Sequence, residues 1–448
     1  MIFLNISPEK IVNGEHYGSD IESMLDPSSN RIDTLVDDDY SLGANGVVFK
    51  RDGMGFLPKI ILKMYAERKK YKKLMIDASI ELERLKKQPR KNKKAIEALS
   101  TKKKQYDSIQ KAKKIALNSC YGSLGNQYGR YYDIRLAEAI TLTGQLAIRW
   151  VANDLYAYLN RVLETKDEDF VIAIDTDSNY LKLDPLVQKF WAHKSKAEIV
   201  DILDKACDEK IQPIIDKSFR DVAYYLNATE PDALKMSREC IADRAFWTAK
   251  KRYAMNVWDS EGVRYKNPKV KIMGIETTRS STPEFFRKAL ERCIRIILNK
   301  DNEKMITFVG KIENKFRKKD VEDIAFPRGC NNLEKWADPN SIYTKGTPIQ
   351  VKGALLWNHM LDQHPELHGT VQPIASGEKL KYVYLKEPNV LKDKVIAFPN
   401  RLPKEFGLHP AVNYDLMFDK AFLQPLKNIT DHIGWTHKKV NTIEGFFA

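Results

Sequence analysis

The sequence predicts an α+β fold in which helices and strands occupy separate stretches of the chain. Three observations carry this expectation. A break at QPRKN, residues 88–92, divides two long helical stretches. FVIAIDTDSNYLKL, over 170–183, reads as two β segments around a tight acidic turn. Residues 244–277 hold strand-like pieces between charged turns, after which FFRKALERCIRIIL near 285 opens a more helical final region. With 448 residues, 43% hydrophobic and 10% aromatic, the chain is long enough for two or three domains with substantial cores.

Taken in order, the four apolar residues of the opening MIFLNISPEK suit a strand or the buried end of a loop. Short apolar stretches up to residue 58 alternate with the turn-forming runs DPSSN, LGANG and RDGMG. From Pro58 the pattern becomes helical, and Pro89 disfavours helix at the residue before it. KKAIEALSTKKKQYDSIQKAKKIALNS resumes the helical pattern, so the simplest arrangement is a helical hairpin with basic residues exposed along both arms. Polar and small residues around Asn118, in NSCYGSLGNQYGRYYD, are expected to interrupt the second arm. Further helices are expected over 134–160 and 194–228.

Cysteines stand at 120, 207, 240, 293 and 330 and none forms a CxxC pair, which argues against a disulfide framework or a cysteine-rich zinc site. No apolar run reaches membrane-spanning length and no basic leader opens the chain, so a reducing cytoplasm and no membrane partner are expected. The formal charge of +14 is concentrated: residues 68–114 carry 18 Lys or Arg against 5 Asp or Glu. Such a segment suits a polyanion such as nucleic acid or nucleotide, and equally a soluble lysine-rich hairpin. It lacks the strongly aromatic apolar face of a membrane-surface helix.

IDTDS is the sharpest chemical signal. Alternation on a strand would put Asp175 and Asp177 on one face, unless the turn separates their directions, and FVIAI would fix them through core packing. Two neighbouring carboxylates repel, and magnesium, a hard cation that takes oxygen ligands and substrate phosphates, relieves the repulsion. A solvated acidic turn has the same sequence. His364 and His368 have helical spacing, but Pro365 lies between them and Gly369 follows, which makes a poor metal pair.

Arg68, Lys69 and Lys72 precede the hairpin break, and Lys111 and Lys114 lie near the end of the second arm. Arg68 and Lys72 are one helical turn apart and could clamp one triphosphate. Lys114, Asn118 and Tyr121 continue along one face, which could meet phosphate, sugar and base in succession; ordinary helix surface is the alternative. Gly122, Gly125 and Gly129 leave space beside Tyr121 and Tyr128 for nucleic acid or for packed chain. In KKRYAMNVWD, Lys250 and Lys251 can meet phosphate, Arg252 a sugar or groove, and Tyr253 can pack or stack. YKNPKVKIMGIE could simply shape a β-hairpin.

In this order, ERKKYKK, KKIALNSCYGSLG, IDTDS and KKRYA resemble a family B DNA polymerase, most of all those of T-even-like bacteriophages. ISPEKI, NSCYGSLGNQYGRYYDIR, FWTAKKRYAMNVWD and KIMGIETTRSSTP extend the resemblance across most of the chain. It implies a right-hand architecture with an incomplete β-sheet palm: an N-terminal part of the palm at 1–57, helical-hairpin fingers at 58–126, returning palm at 127–280 and a mostly helical thumb at 281–448. It implies that Arg68, Lys72 and Lys114 neutralise a deoxynucleoside triphosphate and that Asn118 and Tyr121 shape the base-pair pocket. Asp177, with Asp175, would hold two Mg2+ ions, and Asp177, Asp175 and Lys114 would be the catalytic set. Lys250, Lys251, Arg252 and Tyr253 would grip primer–template DNA, while Glu239 is a weaker match.

The resemblance also places an aspartate and a SLYPSI-like strand immediately upstream of ISPEKI, where this sequence begins. The expectation is a split polymerase whose N-terminal partner subunit supplies that carboxylate and an exonuclease, in the cytoplasm of an infected bacterial host. Ile443, Phe446 and Phe447 in the tail would dock on a sliding clamp, or else pack on the thumb. A non-catalytic DNA-binding scaffold or defective remnant is the competing function. A two-metal nuclease also fits paired carboxylates, but the NSCYG pocket beside a phosphate-binding helix favours nucleotide insertion.

Overall fold

A computed structural model describes residues 1–16, 20–26, 39–88 and 92–436, and the chain divides into two compact units. The first comprises 1–242 and 257–269; the second comprises 243–256 and the chain from 270 onward.

In the first unit the opening residues form the buried end of a loop: Phe3, Leu4 and Ile6 are buried, and strand β1 (Ile11–His16) starts only afterwards. Helix α1 (Ile21–Leu25) and strands β2 (Tyr40–Leu42) and β3 (Val47–Lys50) follow, with the antiparallel sheet ordered β1-β3-β2. The same loop prepares the start of α2 (Phe56–Lys87). The Asn5 side-chain amide donates to the Lys50 and Gly53 carbonyls at 2.8 and 2.9 Å, and its oxygen accepts the Gly55 N–H at 2.7 Å. Glu9 accepts the Phe56 N–H at 2.7 Å. The unpaired N–H groups of a helix start therefore find partners in the NISPEK segment, residues 5–10.

Helix α3 (Lys93–Leu124) completes the expected hairpin, and α2 ends at Lys87, just before the QPRKN break. Asn92 caps α3 by accepting the Ala95 N–H at 3.1 Å. Asn92→Ala should cost about 1 kcal/mol of hairpin stability, read as a lower denaturation midpoint by circular dichroism. The expected interruption at Asn118 does not occur. α3 runs through Asn118, Tyr121 and Gly122 to Leu124, which is 1% exposed in the core. One glycine costs a helix only about 1 kcal/mol, less than burying the leucine at its end returns.

Helix α4 (Ile134–Leu163) buries Leu136, Ala139, Thr143, Ala147, Val151, Leu155 and Leu159, a three-and-four spacing that keeps one face on the core. Strands β4 (Val171–Asp175) and β5 (Ser178–Leu181) pair antiparallel. After α5 (Asp184–Trp191), helices α6 (Lys196–Ala206) and α7 (Gln212–Tyr225) are joined by a π-helical turn at Cys207–Ile211. The unit's core gathers Val48, Phe49, Leu146, Val151, Phe219 and Val222.

Strands β6 (Cys240–Ala249), β7 (Arg252–Ser260) and β8 (Val263–Met273) carry the chain between the units, with the expected charged turns at 250–251 and 261–262. YKNPKVK belongs to one arm of the β7–β8 hairpin. It runs straight within β8, which ends the sheet order β6-β7-β8, and an edge strand tolerates Pro268 because no ladder donor is needed there.

In the second unit, α8 (Glu284–Leu298) and α9 (Asn302–Phe316) open a largely helical body around Phe286, Phe316, Phe418 and Phe422, with Phe286 and Phe316 centroids 5.2 Å apart. Its three-stranded antiparallel sheet, in which Lys379–Tyr384 lies between Val395–Phe398 and Phe326–Gly329, was not among the sequence expectations. Helix Ile349–Asp362 packs on that sheet at Gly353, where a Cβ would lie 2.8 Å from the Ala397 nitrogen. Among the described residues no helix is long and apolar enough to cross a membrane.

Candidate active site and nucleic-acid interface

The acidic turn is a hairpin tip. Its base is anchored where Phe170, 1% exposed, packs with Leu159 and Leu163 of α4, and where the Lys182 N–H donates to the Phe170 carbonyl at 2.8 Å. Toward the tip the burial fades. Ile172 and Ile174 are 45% and 44% exposed, so core packing of FVIAI holds at Phe170 and in part at Val171, and fails at the two isoleucines. Antiparallel pairing leaves one face of this two-stranded ribbon without a covering layer in the first unit.

At the tip Thr176 has φ of 57°, a conformation that a β-branched residue rarely adopts. The Asp175 carbonyl accepts the Asp177 N–H at 2.6 Å and the Ser178 hydroxyl at 3.1 Å, and the Thr176 hydroxyl donates to the Asp175 carboxylate at 3.0 Å. Asp175 is thereby half-buried and oriented, whereas Asp177 is exposed beyond the strand. The turn separates the two, so strand alternation does not set their directions. Among the described residues no group of three His, Cys, Asp or Glu side chains could hold a metal ion. Two hard oxygen donors at a tip do suit magnesium, which takes its other ligands from water and substrate phosphates. His364 instead pairs with Glu366 at 2.8 Å, and His368 bonds the Leu361 carbonyl at 3.0 Å.

On α3 the Lys114, Asn118 and Tyr121 side chains are exposed along one continuous helix, with Tyr121 38% exposed. Gly122 faces open space, and Gly125 sits at ordinary contact distance from Ala137. Gly129 is different: a Cβ there would lie 2.7 Å from the Ser123 carbonyl oxygen, so its role is close packing of the chain on the end of α3. Tyr128 beside it is 89% exposed.

Across the hairpin Glu67 of α2 and Lys113 of α3 form an ion pair, beside which Arg68 and Lys114 follow on the two arms. Arg68 is half-buried, and its Nε is buried with no hydrogen-bond partner. Lys69 is exposed, and Lys111 pairs with Asp107 at 2.7 Å along its own helix. Lys72 is not a free cation: it is ion-paired to Glu261 in the β7–β8 turn.

Sequence reasoning expected charged turns in this stretch but did not single out Glu261. Glu261 and Gly262 have φ of 50° and 84°, the pattern of a tight hairpin turn that favours Asn, Asp or Gly at the first position. Beneath it Asp259 is fully buried. It pairs with Arg238, with Arg264 at 2.7 Å, and accepts the Gly262 N–H at 3.1 Å. Asp204 of α6 bonds both arginines, and Asp201 meets Arg264 at 2.9 Å. Burial works against the Arg238 charge, but Asp259 and Asp204 more than offset it and hold the group above its ordinary range. These residues lie far apart in sequence, and only the E-G dipeptide signalled a turn. Glu239 meets the same turn through its carbonyl, which accepts the Glu261 N–H at 2.8 Å.

In the second unit Lys250 and Lys251 are exposed at the β6–β7 turn. Arg252 is engaged by Glu276 at 2.6 Å, and Tyr253 is 4% exposed, its ring 5.7 Å from that of Trp247. Of the four expected DNA contacts, the two lysines are therefore presented to solvent. Tyr253 packs rather than stacks. Ile443, Phe446 and Phe447 lie outside the described residues.

The model of DNA polymerase family B matches residues 1–185. The DNA-directed DNA polymerases of Enterobacteria phage T4 and Escherichia phage RB69 are 31% and 33% identical over 99% of the chain and 53% of their own length. A DNA polymerase of Thermococcus gorgonarius is 27% identical over 62% of the chain and 28% of its own length. The chain thus spans about half the length of the two phage relatives. Over nearly its whole length the chain is similar to the DNA-directed DNA polymerases of phages T4 and RB69, and its first 185 residues match the model of DNA polymerase family B.

Proposed function

We propose that the chain forms the fingers, much of the palm and the thumb of a template-directed DNA polymerase that adds deoxynucleotides to a primer 3′-hydroxyl. The observation that supports this most is the pairing, within one unit, of an exposed Lys114–Asn118–Tyr121 face with an acidic hairpin tip anchored on the next helix. In this reading the 3′-hydroxyl attacks the α-phosphate and pyrophosphate leaves. Two magnesium ions, when bound, supply charge stabilisation to the attacking and leaving oxygens. Asp177 and Asp175 hold them, the second pre-oriented by Thr176. Arg68, with its unpartnered Nε, and Lys114 neutralise the triphosphate, and Lys72 joins them. Asn118 and Tyr121 form one wall of the base-pair pocket. Lys250 and Lys251 meet the backbone of the duplex.

The relatives are about twice as long as this chain. We assign the remaining palm carboxylate and the exonuclease to polypeptide outside these 448 residues, whether a preceding segment or a separate subunit. The half-exposed Ile172 and Ile174 are a surface that such polypeptide could cover. The test is magnesium-dependent primer extension by this chain alone and together with the polypeptide encoded immediately upstream. Extension only by the pair is the expected result. Shift of labelled duplex without extension in either mixture would replace this reading with a DNA-binding scaffold.

A further inference from the structure

We propose that Glu261 is a latch on the fingers, holding Lys72 away from the triphosphate until the substrate's phosphates displace it. The inference rests on reading α2 as a phosphate-binding helix, and it adds a positioning residue to that reading. Lys72 lies one helical turn from Arg68, on the arm that carries the proposed phosphate contacts, yet its ammonium group is ion-paired to Glu261. Both side chains are partly shielded, at 38% and 27% exposure, so the pair is less screened than a surface contact.

The support beneath Glu261 argues that its position is specified. A glutamate occupies a left-handed turn position that favours asparagine, aspartate or glycine, and the longer side chain is what spans to α2. The turn cannot drift, because buried Asp259 binds the Gly262 N–H and two arginines, and those arginines are tied to α6. β8 continues beside the same helix: burial pushes the Tyr265 phenol up, and the Glu83 carboxylate of α2 adds to that. A rigid hairpin thus presents one carboxylate to one lysine of an otherwise cation-rich arm. A triphosphate, with more charge and more acceptor oxygens, competes with it for the same ammonium group.

The experiment is calorimetric titration with inorganic tripolyphosphate, the substrate's anionic part without its base. It uses the wild-type chain, Glu261→Gln, Lys72→Ala and the double variant. Glu261→Gln should bind about two- to fivefold more tightly, the range for releasing a partly exposed ion pair. That gain should vanish when Lys72→Ala is already present. A gain that persists without Lys72 would mean simple repulsion by Glu261 and would overturn the latch. Equal affinity of wild type and Glu261→Gln, or no tripolyphosphate binding by any of the four proteins, would overturn it too. Expected titrations combined with failed primer extension would leave the latch standing on a phosphate-binding helix and sink the polymerase reading instead.

Discussion

Asp177→Asn should lower magnesium-dependent nucleotide incorporation on the order of 10³-fold, the several kcal/mol that metal-held charge stabilisation contributes to such a step. Duplex affinity should change by no more than about twofold, because the substitution removes one negative charge and leaves Lys250 and Lys251 untouched. The contrast matters because Asp177 is exposed at the tip and contributes no buried packing, so loss of activity cannot be ascribed to unfolding. Asp175→Asn is the informative companion. Its carboxylate also accepts the Thr176 hydroxyl, so this variant should disturb the turn as well as the charge. Single-turnover extension with the complementary polypeptide present measures both. Incorporation by Asp177→Asn within about tenfold of wild type would remove the acidic turn from the reaction centre.

The second large effect is expected at a residue with no place in the chemistry. Asp259→Ala should destabilise the first unit by about 3 kcal/mol, because it removes a fully buried carboxylate and leaves Arg238 and Arg264 short of their shared partner. Asp201, whose side chain is 71% exposed, meets the same Arg264, and Asp201→Ala should cost no more than about 1 kcal/mol. Urea denaturation of the two variants under one buffer separates them. Similar midpoints would show that the network is no tighter than a surface ion pair. Because Asp259 also accepts the Gly262 N–H, its loss should loosen the turn that presents Glu261. Faster hydrogen exchange at 260–263 would report this directly.

Much of the site was legible because its signals are local. Pro89 and the charge pattern mark the hairpin break, and the 170–183 segment marks its own tight turn. The spacing of Lys114, Asn118 and Tyr121 marks one helix face, and the order of these short motifs carried the family resemblance. The errors arose where a local preference met a global cost. Glycine and polar residues near Asn118 argued for a break, yet burying Leu124 kept the helix going. Apolar residues in FVIAI argued for a packed strand, yet a two-stranded ribbon offers a core to only part of it.

The helical hairpin, its charge, the acidic turn and the similarity to phage polymerases are each written in neighbouring residues or in the order of short motifs. Tertiary structure alone decided that Lys72 faces Glu261, that Tyr253 is packed while Lys250 and Lys251 are presented, and that Asp259 joins two arginines under a turn. The difference is one of range. Helix periodicity and turn chemistry act over a few residues, whereas an ion pair between positions 72 and 261 exists only after the chain has brought them together, and each side chain has many other partners until then.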